Sequence, residues 1–452
     1  MSKYLVTDPA TNEKIATYPE ALDSDIDRMI AAAHSTYDSW SRSTSVSERA
    51  LLLQRVADLF EQREDELARI ICREMGKSMQ DSRDEVRFSA DILRAFAENS
   101  GEWLADEELH VKDGMRTVVK KQGIGAILGI MPWNYPYYQV VRFAGPNLLV
   151  GNTVIIKHAN QCPESAQVLE ELFREAGFPA GAYTNVYATH GQISQIIADD
   201  RIQGVSLTGS ERAGAIVAEQ AGRHLKKCVL ELGGSDPFIV LDTADVDNAV
   251  KHAVWGRMKN MGQSCTGSKR FIVLDSVFDE FKQKFLAGIA AQSHSRVLLP
   301  PLSSADATAT LVTQVAAAID EGAQLEVGDN EPTGNYYTPG ILTNITPDMT
   351  VYSEELFGPV GQLYRVSSDE EAIALANDNP YGLGSVVICD DVARAERVGD
   401  RLDVGMVYIN AAGLDGADVP FGGVKKSGYG RELGKLGVDE FANKKIYRFS
   451  AS

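Results

Sequence analysis

Ile124-Gly125-Ala126-Ile127-Leu128-Gly129-Ile130, the longer run Tyr137–Val150, and Thr153-Val154-Ile155-Ile156-Lys157 decide the fold of this chain. The outer two are short apolar runs of strand length, and the middle one has the length and spacing of a helix. The alternation continues. Glu164–Ala176 reads as a helix, Thr184–Tyr187 as a strand, Gln192–Ala198 as a helix, Ile202–Leu207 as a strand, Ser210–Ala221 as a helix and Lys227–Leu232 as a strand. Repeated strand–helix–strand units imply a parallel sheet covered by helices on both faces. Ligands of such sheets bind beyond the C-terminal strand ends, where Lys157, Gly209 and Ser210 fall.

Outward from this block, a second α/β run begins near Asp236. Phe238–Leu241 and Phe271–Leu274 read as strands, and Val246–Met258, Val277–Ala290 and Ala305–Ala318 as helices. Further strands and helices extend through Asn410. Upstream, Tyr4-Leu5-Val6 and Ile15-Ala16-Thr17-Tyr18 are extended. Ile26, Met29, Ile30, Ala33, Tyr37 and Trp40 then recur at helical spacing, and Ser45 with Glu48 forms a capping box ahead of the stripe Leu52, Leu53, Val56, Leu59 and Phe60. Another helix is expected over Asp84–Phe96. His110–Gln122 reads as two extended segments around Lys112-Asp113-Gly114. With the strand-like tail Phe441–Phe449 it has the charged character of a protected edge or a subunit-pairing surface.

A chain of 452 residues is too long for one ordinary core. Its 44% apolar and 24% charged residues are those of a globular protein. A formal net charge of −19 argues against nucleic acid and anionic membrane as partners, though not against a small anionic substrate. Five scattered cysteines, no apolar run of signal length after Met1-Ser2-Lys3-Tyr4 and no 18-residue apolar stretch lead to the expectation of a reducing, cytoplasmic setting. No metal is expected.

One cysteine stands apart. In Lys259-Asn260-Met261-Gly262-Gln263-Ser264-Cys265-Thr266-Gly267 it lies among small and polar residues, between a helix-like and a strand-like segment. A packing cysteine keeps apolar company. Four further stretches accompany it: Pro132-Trp133-Asn134-Tyr135-Pro136, Glu231-Leu232-Gly233-Gly234, Glu354–Pro359 and Pro420–Gly428. In order and spacing these five resemble the motifs of the aldehyde dehydrogenase superfamily, and the resemblance covers nearly the whole chain. It is most like the short bacterial succinate-semialdehyde branch, through the His158-Ala159 pair after Lys157 and the compact length. No G-x-G-x-x-G follows the first strand, so the cofactor expectation rests on the resemblance alone.

The resemblance implies an α/β fold with a Rossmann-like cofactor domain (1–104 and 123–230) and an α/β catalytic domain (231–432), whose C-terminal part can return to the first. It also implies a small β oligomerisation element (105–122 and 433–452) and a homodimer or homotetramer. The activity implied is oxidation of an aldehyde to its acid with NADP or NAD, with succinate semialdehyde as the expected substrate. Cys265 resembles the nucleophile that forms a thiohemiacetal; that role calls for a thiolate, hence for a lowered pKa. Asn134, with the Cys265 backbone N–H, matches the oxyanion donors, and Glu231 the base that activates water. Trp133, Lys157, Asn160, Gly209, Ser210, Glu355 and Phe357 match cofactor positions. Asn160 stands where NAD-preferring members often carry a glutamate, so a 2′-phosphate is tolerated. Arg142 and Lys259 match cations for a substrate carboxylate; the plain alternative pairs Arg142 with an acid on a surface helix. The segment 292–310 departs from the family pattern, which bears on the local surface rather than on the site motifs. Alternatives are other aliphatic or aromatic aldehydes, a CoA-acylating relative (disfavoured by Glu231), a cofactor-free cysteine hydrolase (no histidine lies in the five motifs) and a catalytically silent binding member.

Overall fold

Ala126–Ile130 lies in the middle of a six-stranded sheet in the computed structural model, which describes residues 3–294 and 299–450. Thr153–Lys157 and Ile202–Thr208 flank it. Tyr183–Asn185 lies beyond the first and Lys227–Glu231 beyond the second, all parallel. Thr153–Lys157 is buried at every position, which is why it reads as an unbroken apolar run. The strand expected from Ile124 starts only at Ala126 because the Ile124 and Gly125 N–H groups donate to Asn152 Oδ1 at 2.6 and 3.1 Å. In chain order the first strand neighbours the second and the fourth. The winding therefore reverses there, and a crevice opens beyond those two strand ends. Trp133 and Asn134 follow one end, Gly209 and Ser210 the other.

A seven-stranded sheet carries the second α/β run, in the order Gln324–Val327, Gly340–Thr343, Val360–Val366, Arg270–Leu274, Pro237–Val240, Val386–Ile388, Tyr408–Ile409. Only its first strand runs antiparallel. Five residues, 232–236, join the two sheets. The C-terminal ends of the first sheet thus meet the N-terminal ends of the second: Glu231 closes a strand, while Asp236, Lys269 and Pro359 each immediately precede one.

The helices Val46–Gln62, Glu64–Met75 and Met79–Glu98 pack round Tyr138–Val150, whose thirteen residues are all buried. The capping box at Ser45 and Glu48 is present. Ala442–Arg448 pairs along its whole length with Thr117–Gly123, which pairs in turn with Glu107–Leu109. Gly428–Tyr429 joins the first sheet beside Glu231, so the chain returns there before residue 432. Gly428 makes this possible: at φ +110 a Cβ would stand 2.0 Å from the Leu230 carbonyl oxygen. Within the atypical segment, residues 295–298 lie outside the described residues. Ser304 then caps the helix Ala305–Asp320.

Candidate active site

The helix Val246–Met258 ends seven residues before Cys265, and Asn260, Met261 and Gly262 follow with φ of +53°, +53° and +71°. Left-handed geometry at a non-glycine residue costs about 1–3 kcal/mol and persists only when neighbours impose it. Here they do. Asn260 Nδ2 donates to the Asn134 and Gln263 carbonyls at 3.1 Å each, and Arg257 Nη2 donates to the Gly262 carbonyl at 2.7 Å. The Gln263 amide donates to the Asn260 carbonyl at 3.1 Å and accepts the Ser303 N–H at 2.9 Å. Ser303 belongs to the atypical segment, so that segment buttresses the cysteine loop itself rather than only the surface, a correction to the expectation. Gly262 admits no side chain, since a Cβ would lie 2.2 Å from the Gly358 carbonyl oxygen.

Beyond the turn, Lys269 fixes the loop from below. Its fully buried ammonium donates to the carbonyls of Ser264, Cys265 and Gly267 at 2.9, 2.8 and 3.2 Å and pairs with Glu355 Oε1 at 3.2 Å. The same Glu355 oxygen accepts the Gly234 N–H at 3.0 Å. The glycine pair 233–234 is what lets these segments close up: a Cβ on Gly233 would meet Glu355 Oε2 at 2.5 Å, and one on Gly234 the Cys265 carbonyl oxygen at 2.6 Å.

Asn134 Nδ2 donates to the Gln263 carbonyl at 3.2 Å, which ties the Pro-Trp-Asn stretch to the cysteine loop. Glu231 is buried, and neither carboxylate oxygen has a hydrogen-bond partner among the described residues. Burial raises its carboxyl well above the usual range. Arg142 and Arg431 oppose that shift, while Glu432 and Glu440 add to it. A raised carboxyl is a stronger base toward water. The expected low thiol pKa is corrected: burial pushes Cys265 up to about 12, outweighing the nearby charges of Arg142 and Lys269.

Cys265 opens into a cavity of about 240 Å³ walled by Phe88, Tyr135, Tyr138, Trp255, Tyr408 and Phe421. Arg142 is not in this wall. It stands behind it, its guanidinium 4.9 Å from the Tyr138 ring centre and 4.2 Å from that of Phe421. The helix is interior, so the surface-helix alternative fails, yet Arg142 does pair with an acid, Glu432, and bonds the Tyr138 hydroxyl at 3.0 Å. Its Nη2 is buried with no partner among the described residues. Lys259 reaches the cavity but is not a free cation, because Asp81 at 2.8 Å and Asp84 at 3.5 Å already hold it. Two acids on a neighbouring helix, distant in sequence, therefore weaken its expected role toward a substrate carboxylate.

In the crevice between the sheets, Lys157 is buried with only the Asn160 amide, at 2.9 Å, as hydrogen-bond partner, and no carboxylate pairs with it among the described residues. Burial alone lowers it to about 8. Ser210 caps the helix Glu211–Arg223, whose free N–H groups face the crevice. A Cβ on Gly209 would meet nothing closer than Leu207 at 3.6 Å, and the buried Thr208 hydroxyl beside it lacks a partner among the described residues. Trp133 and Phe357 meet edge to face across the crevice, 5.6 Å between ring centres.

A model of the aldehyde dehydrogenase family matches residues 2–447. The chain belongs to the aldehyde dehydrogenase family. It is similar to a succinate-semialdehyde dehydrogenase (NADP(+)) of Deinococcus radiodurans, 49% identical over 98% of this chain and 94% of the relative. It is also similar to the succinate semialdehyde dehydrogenase (NAD(P)+) Sad of Escherichia coli, 41% identical over 96% and 95%. Among solved structures, the succinic semialdehyde dehydrogenase of Streptococcus pyogenes in complex with NADP+ superposes with a TM-score of 0.96. It is 41% identical and covers 99% of this chain and 100% of that one.

The crevice of this aldehyde dehydrogenase fits a dinucleotide. A buried lysine without a counter-charge, an unpaired hydroxyl and an uncrowded glycine turn at a helix N-terminus are what a phosphate-bearing ligand needs. The motifs left out two buried groups that hold the segments around Cys265 and Tyr135. Lys269 is one; its signal is the pair Lys269-Arg270 immediately before the apolar run Phe271–Leu274, where a buried strand has no use for unpaired charge. The other is the buried pair Lys77–Glu85. Glu85 Oε1 accepts the N–H groups of Tyr137 and Tyr138 at 2.8 and 3.2 Å, and Lys77 stacks 3.7 Å from the Tyr135 ring centre. Nothing in the sequence pairs these two with residues some 50 positions away.

Proposed function

We propose that this aldehyde dehydrogenase oxidises succinate semialdehyde to succinate with NADP+ as the preferred acceptor. The observation that carries the substrate is Arg142: its buried Nη2 has no partner among the described residues, and it stacks on two rings of the wall facing Cys265. Glu432 and the Tyr138 hydroxyl take the other nitrogens, which leaves Nη2 as the desolvated donor that suits a carboxylate. The names of the relatives agree with this reading. For the acceptor, Lys157 and Asn160 provide a cation and a neutral amide where a 2′-phosphate would lie, and would hold it there.

In this reading Cys265 attacks the aldehyde carbon as its S–H bond breaks; the carbonyl π pair moves onto oxygen and the thiol proton passes to solvent water. The Asn134 amide and the Cys265 N–H hold the resulting oxyanion of the thiohemiacetal. When bound, the nicotinamide supplies the hydride acceptor. Glu231 then takes a proton from the water that hydrolyses the thioester, which releases the acid and restores the thiol. Trp133, Phe357, Gly209, Ser210 and Glu355 line and orient the cofactor. The chain works in the cytoplasm as a homodimer or homotetramer, joined through the sheet of Ala442–Arg448; light scattering on the eluting protein tests that assembly.

The aromatic wall gives a second reading, a neutral aromatic aldehyde. Steady-state kinetics with succinate semialdehyde, butyraldehyde and benzaldehyde, each with NADP+ and NAD+, separates the two. A preference of about tenfold or more for succinate semialdehyde, roughly 1.4 kcal/mol, is expected, together with its selective loss in Arg142→Lys. Equal kcat/KM for benzaldehyde would overturn the substrate assignment.

A further inference from the structure

At the opposite edge of the first sheet, the N-terminal one, a recess of about 540 Å³ lies between the Tyr37–Ser41 turn, the end of the Tyr138–Val150 helix and the three-stranded sheet. Arg42, Arg49, Lys121 and Lys445 line it, and no carboxylate does. That is the reverse of a chain whose net charge is −19. Asp38 at 3.1 Å and Asp439 at 2.7 Å neutralise Arg42 and Lys121 from outside the lining. Arg49 and Lys445 have no carboxylate partner among the described residues. Arg49 is buried. Its Nε and Nη1 are spent on the carbonyls of Leu149 at 2.8 Å and of Thr44 at 2.6 Å, and burial lowers its pKa against the opposing charge of Glu48. A desolvated cation in this position is stabilised by an incoming anion.

The wall facing Arg49 is built from an irregular element. Tyr37–Ser41 forms a π-helical turn, a rare geometry that widens the helix, and Arg42 follows it with its guanidinium 5.6 Å from the Tyr37 ring centre. The turn is locked by Tyr37, whose hydroxyl donates to the Gly123 carbonyl at 2.8 Å, and by Ser41, bonded to the Gly151 carbonyl. Ser41 and Asn443 add neutral polar groups to the lining.

We propose that this recess binds a small multiply charged oxyanion of the phosphate class, at a site separate from the cofactor crevice. Lys157, Gly209 and Ser210 stand beyond the C-terminal strand ends. Gly123 and Val150 precede the first residues of their strands, so the two sites lie on opposite edges of one sheet. Planar guanidinium forks with a flexible lysine suit tetrahedral oxyanions.

The test is calorimetric titration of inorganic pyrophosphate into the full-length enzyme at low ionic strength, with NADP+ saturating so that the cofactor crevice is filled. The parent is expected to bind one pyrophosphate per chain, more weakly as salt rises. Arg42→Ala/Lys445→Ala should weaken binding by about tenfold or more, while kcat/KM for the aldehyde without added anion stays unchanged. No saturable heat from the parent at millimolar pyrophosphate, or equal affinity in both proteins, would overturn the proposal. So would a parent that ignores pyrophosphate while the double variant elutes as a smaller assembly, which would make the recess a contact for a second copy of the chain.

Discussion

Replacing Lys269 by methionine keeps the length and apolar stem of the side chain and removes one ammonium. In the structure that ammonium serves four acceptors: the Ser264, Cys265 and Gly267 carbonyls at 2.8–3.2 Å and Glu355 Oε1 at 3.2 Å. Hydrogen bonds to a charged donor contribute about 1.5–3 kcal/mol each, but they share one donor and do not add. The closer guide is the removal of one partner from a buried pair, about 3–5 kcal/mol. Glu355 keeps the Gly234 N–H and is partly exposed, so it tolerates the loss, and the lower half of that range applies. Most of the change should fall on the loop that carries Cys265. A shift of about 1 Å in a reacting group costs on the order of 100-fold in rate. Lys269→Met is therefore expected to fold, to melt a few degrees lower, and to lose about 100-fold or more in kcat/KM while binding NADP+ normally. Aldehyde-dependent NADPH formation, NADP+ titration and thermal unfolding on one preparation read all three. A folded variant with kcat/KM within about twofold of the parent would refute the idea that this ammonium positions the nucleophile.

Glu231→Gln should leave the first turnover fast and slow the steady state by about 100–10,000-fold, seen as a burst of NADPH after rapid mixing. An unchanged steady-state rate removes it as the base. Because burial lowers Lys157 to about 8, the free protein loses that positive charge as pH rises through 8. NADP+ affinity should be highest below that pH and weaken above it, NAD+ affinity should change less, and Lys157→Met should flatten the difference; parallel profiles for the two cofactors would exclude a phosphate contact. Glu85→Gln strands the buried Lys77 and should cost about 3–5 kcal/mol in unfolding experiments, with Lys77→Met/Glu85→Gln recovering part of it. A double variant as unstable as the single one would mean that Glu85 acts only through the Tyr137 and Tyr138 N–H groups.

Much of the architecture was readable because buried parallel strands must be apolar on both faces. Thr153–Lys157 and Val246–Met258 have the bounds expected, and other elements of the first sheet differ by a residue or two where a side chain replaces a ladder partner, as Asn152 does at Ile124. Five short motifs single out Cys265, Glu231 and Asn134 as candidates, and the structure ties Asn134 to the loop of Cys265 through Gln263. The electrostatics was misjudged from the same letters. A cysteine among small polar residues, matched to a nucleophile, reads as one with a lowered pKa, whereas desolvation raises it; the charge on Lys259 reads as available, whereas Asp81 and Asp84 hold it.

Sequence alone determined the alternation of strand and helix, the excess of acid over base and the order of the motifs, all of which depend on residues close together along the chain. It did not contain which end of the second sheet faces the first, that Lys269 holds three carbonyls and Glu355 together, that Arg142 stands behind the aromatic wall, or that four cations converge on one recess of an acidic protein. Those follow from long-range packing. The field at a buried group is set by charges brought within a few ångströms from positions up to 290 residues away, as Glu432 is to Arg142, and by the water that packing excludes.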